Sequence, residues 1–336
     1  MLCVQMSVNR IQGPTFTLNG SIRAPMRLVL YMMGTLLALH ASGQSSQGRD
    51  SFKRTADVIY GRKAGMALTL DVFQPAVKNG AAVVFLVSGG WLSSHDDPTM
   101  VHVTTEYYKP YLDRGYTVFA VVHSSQPQFA IPEIVLDVQR AVRFIRYHAA
   151  EFSIDPIRIG ITGSSSGGQL ALMVATQGTM GPPGATDPVD RESSAVQAVA
   201  CFFPPTDFLN WGAPGVDAVG RGPMSPLVSA FGSLADTELG RQVVGKQISP
   251  IYFVTSSLPP VLIIHGDADV VVPLQQSESF AAKAREVGAP IVKIIVRKGK
   301  GHGWGEFWKS QEDVEAFANW FDQYLRGVAA QHHTAP

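Results

Sequence analysis

Apolar runs of strand length alternate with segments of helical periodicity from about Thr55 onward. This alternation is typical of a mostly parallel sheet whose strands are joined by crossover helices. Most runs are rich in valine and isoleucine without strict alternation, which indicates strands covered on both faces. The predicted strands are Asp57–Tyr60, Leu68–Phe73, Ala81–Val87, Thr117–Val122, Ile157–Thr162, Val196–Phe203, Pro260–His265 and Ile291–Val296.

Two amphipathic segments and two irregular stretches complete the pattern. Apolar residues recur at helical spacing after Pro132 and again near the end of the chain, so we expect both stripes to face the core. The stripes are Ile134, Val138, Ala141, Val142 and Ile145, and Val314, Phe317, Trp320, Phe321 and Leu325. Residues 178–192 are crowded with glycine and proline, and residues 204–258 are too long for a simple connection. We interpret the second stretch as a partial cap.

The start of the chain has the layout of a secretory signal peptide. A basic Met26-Arg27 leads into a short apolar run that ends at Leu39 and precedes small residues up to Gly43. The run is shorter than the ~20 apolar residues that a bilayer core needs, so we expect no stable membrane span after its removal. We predict a leader over residues 1–43, with Met26 as the alternative translation start, one folded domain over 44–327 and a disordered tail over 328–336. The predicted location is secreted or periplasmic.

The amino-acid composition limits the kinds of molecule that the protein is expected to bind. The chain has 336 residues, of which 46% are hydrophobic, enough for a large core in one domain. Its 27 basic and 27 acidic residues cancel without a basic run, so nucleic acid is not an expected partner. Removal of the leader leaves Cys201 as the only cysteine, which excludes an intramolecular disulfide and indicates a buried, inert thiol.

A nucleophile-elbow pattern follows the fifth predicted strand. Gly163-x-Ser165-x-Gly167 stands between a strand and a helical segment, which is the setting this pattern requires. The central serine of such a turn is strained, and the flanking glycines relieve the crowding. Its hydroxyl lies at a helix N-terminus, where N–H groups favour developing negative charge. We predict Ser165 as the nucleophile, because Ser164 and Ser166 lack the paired glycines.

A serine nucleophile needs a histidine base, and the histidine needs a carboxylate that fixes its tautomer. His302 lies in a glycine-flanked loop just past the last predicted strand, and we predict it as the base. His265 ends a buried strand and is expected to be structural. Asp267 and Asp269 both follow that strand at the sheet edge where α/β folds bind ligands, and either meets the spacing for the acid. Asp207 is a third candidate.

The negative oxygen of a tetrahedral intermediate needs preorganised N–H donors. One should follow the nucleophile, and we assign it to Ser166. The other should come from the loop after the third strand, which reads Val87-Ser88-Gly89-Gly90-Trp91-Leu92. We predict the N–H groups of Gly90 and Trp91 as donors.

These motifs resemble the α/β-hydrolase esterases of the hormone-sensitive-lipase and acetyl-xylan or feruloyl esterase-like groups, which are related to prolyl oligopeptidases. The resemblance runs from about Tyr60 to Leu325. It implies an α/β-hydrolase fold with a mostly parallel eight-stranded sheet, helices on both faces and a partial cap. It rests on Ile154-Asp155-Pro156, the glycine-serine run Gly163–Gly168, the His-Gly-x-x-Asp-x-x-Val-Pro signature at His265–Pro273, Gly301-His302-Gly303, and Gly89-Gly90-Trp91 in shifted form. The fifth position of that signature is the acid in the family, which points to Asp269.

Two departures from the family concern the oxyanion loop and the substrate pocket. Ser88 replaces the histidine that usually opens the oxyanion loop, and His123-Ser124-Ser125 replaces a Tyr-Arg-Leu sequence. We therefore include His123 among the candidate pocket residues, with a structural role as the favoured alternative. The other candidates are the aromatic residues Trp91, Trp304, Phe208 and Trp211.

The resemblance implies a serine carboxylic ester hydrolase that acts through an acyl-enzyme on short-chain, acetylated-sugar or feruloyl-type esters, either small molecules or polysaccharide-linked. No metal or cofactor is expected, because His95, Asp96, Asp97 and His102 match no zinc spacing and predict a solvated polar loop. A prolyl-oligopeptidase-like peptidase is one alternative, although no stretch is long enough for the extra domain of those relatives. A noncatalytic binding protein on the same scaffold is another, which the altered Ser88 loop leaves open.

Overall fold

A computed structural model of the chain describes residues 52–95, 107–289, 291–305, 307 and 310–326. The predicted leader and tail lie outside these ranges, as do Asp96, Asp97 and His102. The strands are β1 Phe52–Lys63, β2 Met66–Pro75, β3 Ala82–Val87, β4 Thr117–Val122, β5 Ile159–Ser164, β6 Ala198–Phe202, β7 Val261–Gly266 and β8 Val292–Arg297. The α-helices are α1 Lys109–Asp113, α2 Ile131–Tyr147, α3 Ala149–Phe152, α4 Ser166–Gln177, α5 Glu238–Ile248, α6 Gln275–Glu286 and α7 Gln311–Phe321. Among the described residues, no helix combines the length and apolar character needed to cross a bilayer.

The strands form one sheet in the order β1-β2-β4-β3-β5-β6-β7-β8. Neighbouring strands from β4 to β8 run parallel, whereas β2 is antiparallel to both β1 and β4. The predicted mostly parallel, eight-stranded sheet of an α/β-hydrolase fold is thus confirmed. Because their carboxyl ends share one edge, the loops after β3, β5, β7 and β8 are brought to the same rim.

Strand boundaries differ from the predicted ones where polar residues or local turns decide them. β1 and β2 form a long hairpin joined at Ala64 and Gly65, both with positive φ, and much of β1 is exposed. Because many positions of β1 are polar, the strand does not stand out as an apolar run in the sequence. β5 begins after Ile157, because the Asp155 carboxylate accepts the Ile157 N–H (3.0 Å) and makes a turn there.

Hydrophobic side chains pack on both faces of the sheet. One cluster lies under α2, α4 and α6, and the other lies under α1 and α7. The two predicted helical stripes are buried in these clusters. Helices on both faces are therefore confirmed, and Cys201 in β6 is buried as a free thiol.

A buried glutamine anchors the start of residues 204–258. The Gln276 side chain, fully buried in the first turn of α6, accepts hydrogen bonds from the N–H groups of Thr206 (2.9 Å) and Asp207 (2.7 Å). Its amide nitrogen donates to the carbonyls of Asp207 and Asn210, both at 3.1 Å. One side chain thus satisfies four buried or half-buried backbone groups.

We expect Gln276→Leu to lower the free energy of unfolding by at least about 3 kcal/mol, because each orphaned buried polar group costs about 1–3 kcal/mol. Glu278→Leu in the same helix, where the side chain is exposed, should cost less than about 1 kcal/mol. Urea unfolding of both variants measures this. Equal losses would contradict the anchoring role of Gln276.

Candidate active site

Ser165 lies in a strained turn between β5 and α4. Its backbone has φ 52° and ψ −118°, a conformation that costs a non-glycine residue about 1–3 kcal/mol. A β-carbon at Gly163 would lie 2.6 Å from the carbonyl carbon of Gly167, so only glycine permits the chain to turn so sharply. The Ser165 N–H donates to the Phe202 carbonyl (3.0 Å) and ties the turn to β6.

The structure brings Ser165, His302 and Asp269 together from three separate loops. The Oγ atom of Ser165 lies 2.9 Å from Nε2 of His302, and Nδ1 of His302 lies 2.7 Å from Oδ2 of Asp269. A carboxylate only accepts, so Nδ1 carries the proton and Nε2 is left to accept the serine proton. The relay has the connectivity of a nucleophile, a base and an orienting acid.

Asp269 stays ionised although it is buried. Burial by itself would raise the pKa of its carboxyl. Hydrogen bonds from His265, His302 and the Val272 N–H, together with the charge of His302, outweigh burial and hold the pKa well below its ordinary value. The N–H groups of Val271 and Val272 donate to Oδ1 at 2.9 and 2.8 Å, which leaves Oδ2 for the histidine.

The other candidate residues for the base and the acid have different partners. His265 is fully buried, with Nε2 donating to the Val272 carbonyl (2.8 Å) and Nδ1 lying 2.7 Å from the Ser277 hydroxyl. His265 thus contacts the loop that carries Asp269 through the Val272 carbonyl. Asp267 is exposed and accepts the Gly299 N–H (2.5 Å), and Asp207 accepts the N–H of Leu209 (3.0 Å).

The predicted oxyanion loop is a tight turn. Gly89 and Leu92 exchange two backbone hydrogen bonds of 3.0 Å, and both central residues, Gly90 (φ 57°) and Trp91 (φ 59°), have positive φ, as in a type I′ turn. Within the described part of the chain, the N–H groups of Gly90, Trp91 and Ser166 have no protein acceptor. Ser88, the departure from the family motif, lies with Oγ 2.9 Å from Oγ of Ser166 and so joins the loop to the nucleophile helix.

A cavity of about 300 Å³ opens beside the nucleophile. Its polar wall contains Ser165, His302, Ser88, Ser164 and Gly90, and its apolar wall combines Leu86 and Val87 with four aromatic residues. The aromatic residues are Phe85, Tyr107, Phe203 and Phe307. As far as the described residues show, no residue of 204–258 lines this space, so the partial cap stays a prediction.

Most of the predicted aromatic pocket residues lie elsewhere. The side chains of Trp91 and Phe208 are 1% and 0% exposed and pack in the core, where Phe208 stacks on Trp211 at 5.5 Å. Trp304 packs against Phe203 (5.4 Å), behind the cavity wall. The structure therefore brings Trp91 to the site through its main chain and not through its ring.

His123 is also buried away from the cavity lining. Its Nδ1 donates to the Ser124 carbonyl (2.6 Å), and burial lowers its pKa to about 4, so it is neutral near pH 7. These surroundings indicate a structural role for His123.

The polar loop residue His95 contacts the sheet and not the nucleophile. Its Nε2 lies 2.8 Å from the Thr69 hydroxyl and 3.4 Å from Asp57, and its Nδ1 lies 3.5 Å from buried Asp71. Asp71 already accepts from the Arg54 guanidinium (2.5 Å). The side chains of Asp57, Asp71 and His95 therefore lie together beside the ion pair between Arg54 and Asp71.

Comparison with known proteins identifies the family. The BD-FAE family model matches residues 70–284, which include Ser165 and Asp269. The chain belongs to the BD-FAE family. This membership confirms the predicted resemblance to α/β-hydrolase esterases.

Relatives of this BD-FAE chain bear esterase names. The esterase LipQ of Mycobacterium tuberculosis is 29% identical over 255 residues, which cover 75% of this chain and 57% of LipQ. The probable carboxylic ester hydrolase LipM of the same organism is 27% identical, covering 84% of this chain and 63% of LipM. The solved structure of a truncated carbohydrate esterase from gut microbiota superposes with a TM-score of 0.68 at 27% identity, covering 82% of this chain and 97% of that one. The chain thus spans about three fifths of the length of these two curated relatives.

We expect Asp269→Asn to lower kcat by at least about 10²-fold at neutral pH, because an amide no longer selects the productive histidine tautomer. The lowered pKa of Asp269 also makes the stability of the protein depend on pH. A carboxylate with a depressed folded-state pKa stabilises the protein above its ordinary pKa of about 3.9, and this contribution is lost as pH falls toward the lowered pKa.

The stability advantage of wild type over Asp269→Asn should therefore be largest above about pH 4 and shrink in stronger acid. Urea unfolding across this range measures it, with the exposed Asp267→Asn as the control. An advantage that grows on acidification would contradict the assignment.

Proposed function

We propose that this protein is a serine carboxylic ester hydrolase that acts through an acyl-enzyme on Ser165. The observation that carries the proposal is the hydrogen-bonded series from Ser165 to His302 (2.9 Å) and from His302 to Asp269 (2.7 Å) at the mouth of a cavity. The esterase names of its relatives support the same chemistry. We also propose export, on the basis of the sequence at residues 26–43.

The geometry supports a two-step reaction. Ser165 Oγ attacks the ester carbonyl while His302 Nε2 takes its proton, and the N–H groups of Ser166, Gly90 and Trp91 are available for the resulting oxyanion. Collapse of the tetrahedral intermediate releases the alcohol, which receives the proton from His302. Water, activated by His302, then hydrolyses the acyl-enzyme. Asp269 stays ionised throughout and stabilises the imidazolium.

The cavity favours a small acyl group. Its volume of about 300 Å³ is at the lower end of the roughly 300–1,000 Å³ range of ligand pockets. The rings of Phe85, Tyr107, Phe203 and Phe307 supply an apolar wall for a short alkyl chain or one planar ring. We therefore propose short-chain, acetyl or single-ring acyl esters, including esters of sugars, as substrates.

We expect Ser165→Ala to abolish hydrolysis of p-nitrophenyl acetate and labelling by a fluorophosphonate probe, because no other hydroxyl contacts His302 among the described residues. Ser256→Ala, at an exposed serine outside the cavity lining, is the control and should keep both the turnover and the labelling. Undiminished turnover by Ser165→Ala would remove the proposed mechanism.

We expect kcat/KM to fall at least about tenfold from the butyrate to the decanoate ester of p-nitrophenol, because forcing a long chain into a filled space costs about 1–3 kcal/mol. Phe85→Ala enlarges one wall and should shift the preference toward longer chains. Equal rates for butyrate and decanoate would show that the acyl group does not occupy this cavity.

A further inference from the structure

Two glutamine side chains, Gln126 from the loop after β4 and Gln169 from α4, bind the oxyanion turn. We propose that Gln126 and Gln169 are positioning residues that keep the Gly90–Trp91 peptide in the orientation needed for oxyanion binding. The inference rests on the proposed ester hydrolysis, since it concerns the donors that stabilise the tetrahedral intermediate. Neither glutamine lines the cavity formed by the described residues.

Gln126 binds the carbonyl side of the turn. Its amide nitrogen Nε2 donates to the Gly90 carbonyl (3.3 Å), and its backbone N–H donates to the Trp91 carbonyl (3.2 Å). The peptide unit is planar and trans, so the carbonyl of Gly90 and the N–H of Trp91 point in opposite directions. A hydrogen bond that fixes the first therefore also fixes the direction of the second.

Gln169 binds the ring of Trp91. Its Oε1 accepts the indole N–H (3.0 Å), its Nε2 donates to the Ile248 carbonyl (2.8 Å), and the side chain is fully buried. Its own N–H donates to the Ser165 carbonyl (2.9 Å), one helical turn after the nucleophile. Gln169 thus links the oxyanion turn directly to the helix that presents Ser165.

The turn needs these contacts because its backbone is unfavourable for tryptophan. A positive φ at both central residues suits glycine or asparagine, and Trp91 has a large side chain at φ 59°. Rotation of the Gly90–Trp91 peptide would return Trp91 to negative φ, as in a type II′ turn, and would turn its N–H to the other side. Gln126 opposes this rotation at the carbonyl, and Gln169 opposes it at the ring.

Ser229 provides a matched control for Gln126. The Ser229 hydroxyl donates to Oε1 of Gln126, on the side of the amide that does not contact the turn. Gln126→Glu keeps an acceptor for Ser229 and loses the donor to Gly90. Ser229→Ala loses the opposite contact and keeps that donor. A merely structural role of Gln126 predicts similar effects of the two substitutions, whereas a positioning role predicts an effect of Gln126→Glu alone.

The experiment compares kcat, KM and inhibition by a trifluoromethyl ketone, whose serine adduct carries an oxyanion, for wild type, Gln126→Glu, Ser229→Ala and Trp91→Phe. Loss of one oxyanion donor costs about 10²–10³-fold in kcat, so misalignment in Gln126→Glu should lower kcat by about 10- to 100-fold with KM little changed. The inhibition constant should rise in parallel. Ser229→Ala should stay within about twofold of wild type.

Trp91→Phe removes the indole N–H together with part of the ring system and keeps a smaller aromatic ring in the core, so it tests the Gln169 contact even if Gln126→Glu does not fold. It should lower kcat and weaken ketone binding in the same proportion. Wild-type kcat in Gln126→Glu and Trp91→Phe, or an equal loss in Ser229→Ala, would overturn the proposal. Failure of wild type itself to hydrolyse esters would instead remove the proposed function.

Discussion

Close contact between the backbones of Gly163 and Gly167 determines where the chemistry of this protein takes place. With no room for a β-carbon at Gly163, the chain reverses within a few residues and carries Ser165 above the end of the sheet. The same reversal starts α4 at Ser166, so the unpaired N–H groups of the helix face the space that the hydroxyl faces. Nucleophile and oxyanion donor are thus consequences of a single steric condition.

The base and the acid reach this point through the sheet. β7 and β8 run parallel to β5, so the loops that follow them end at the same rim, although His302 is far from Ser165 along the chain. The N–H groups of Val271 and Val272 then donate to Oδ1 of the carboxylate, and Nε2 of buried His265 lies 3.4 Å from Oδ2, the oxygen that His302 also contacts. The low pKa of Asp269 follows from this enclosure by donors, and not from exposure to water.

Sequence reasoning could predict the features that local chemistry determines. The alternation of apolar runs indicated the sheet and both helix layers, and the glycine spacing singled out Ser165. Spacing alone left Asp267 and Asp269 equivalent, and the difference between them is tertiary, since the Gly299 N–H occupies the carboxylate of Asp267.

The cavity wall was not predictable, because the direction of a side chain depends on strand register and backbone conformation. Phe85 lines the cavity from within β3, and Phe203 reaches it through a backbone with φ 34°. Trp91 was a reasonable pocket candidate from its position beside two glycines. Its positive φ and its bond to Gln169 direct the ring inward.

Gln276 anchors residues 204–258 to the same helix, α6, that follows the loop carrying the acid Asp269. The chain that leaves Asp269 enters the first turn of α6 within a few residues, and that turn carries the amide that binds Thr206 and Asp207. Replacing this segment, by a graft or by natural exchange, would first disturb the carboxylate that orients the histidine. The same segment carries Ser229 and the Ile248 carbonyl, which bind the two glutamines at the oxyanion turn, so its replacement would disturb the oxyanion donors as well as the acid.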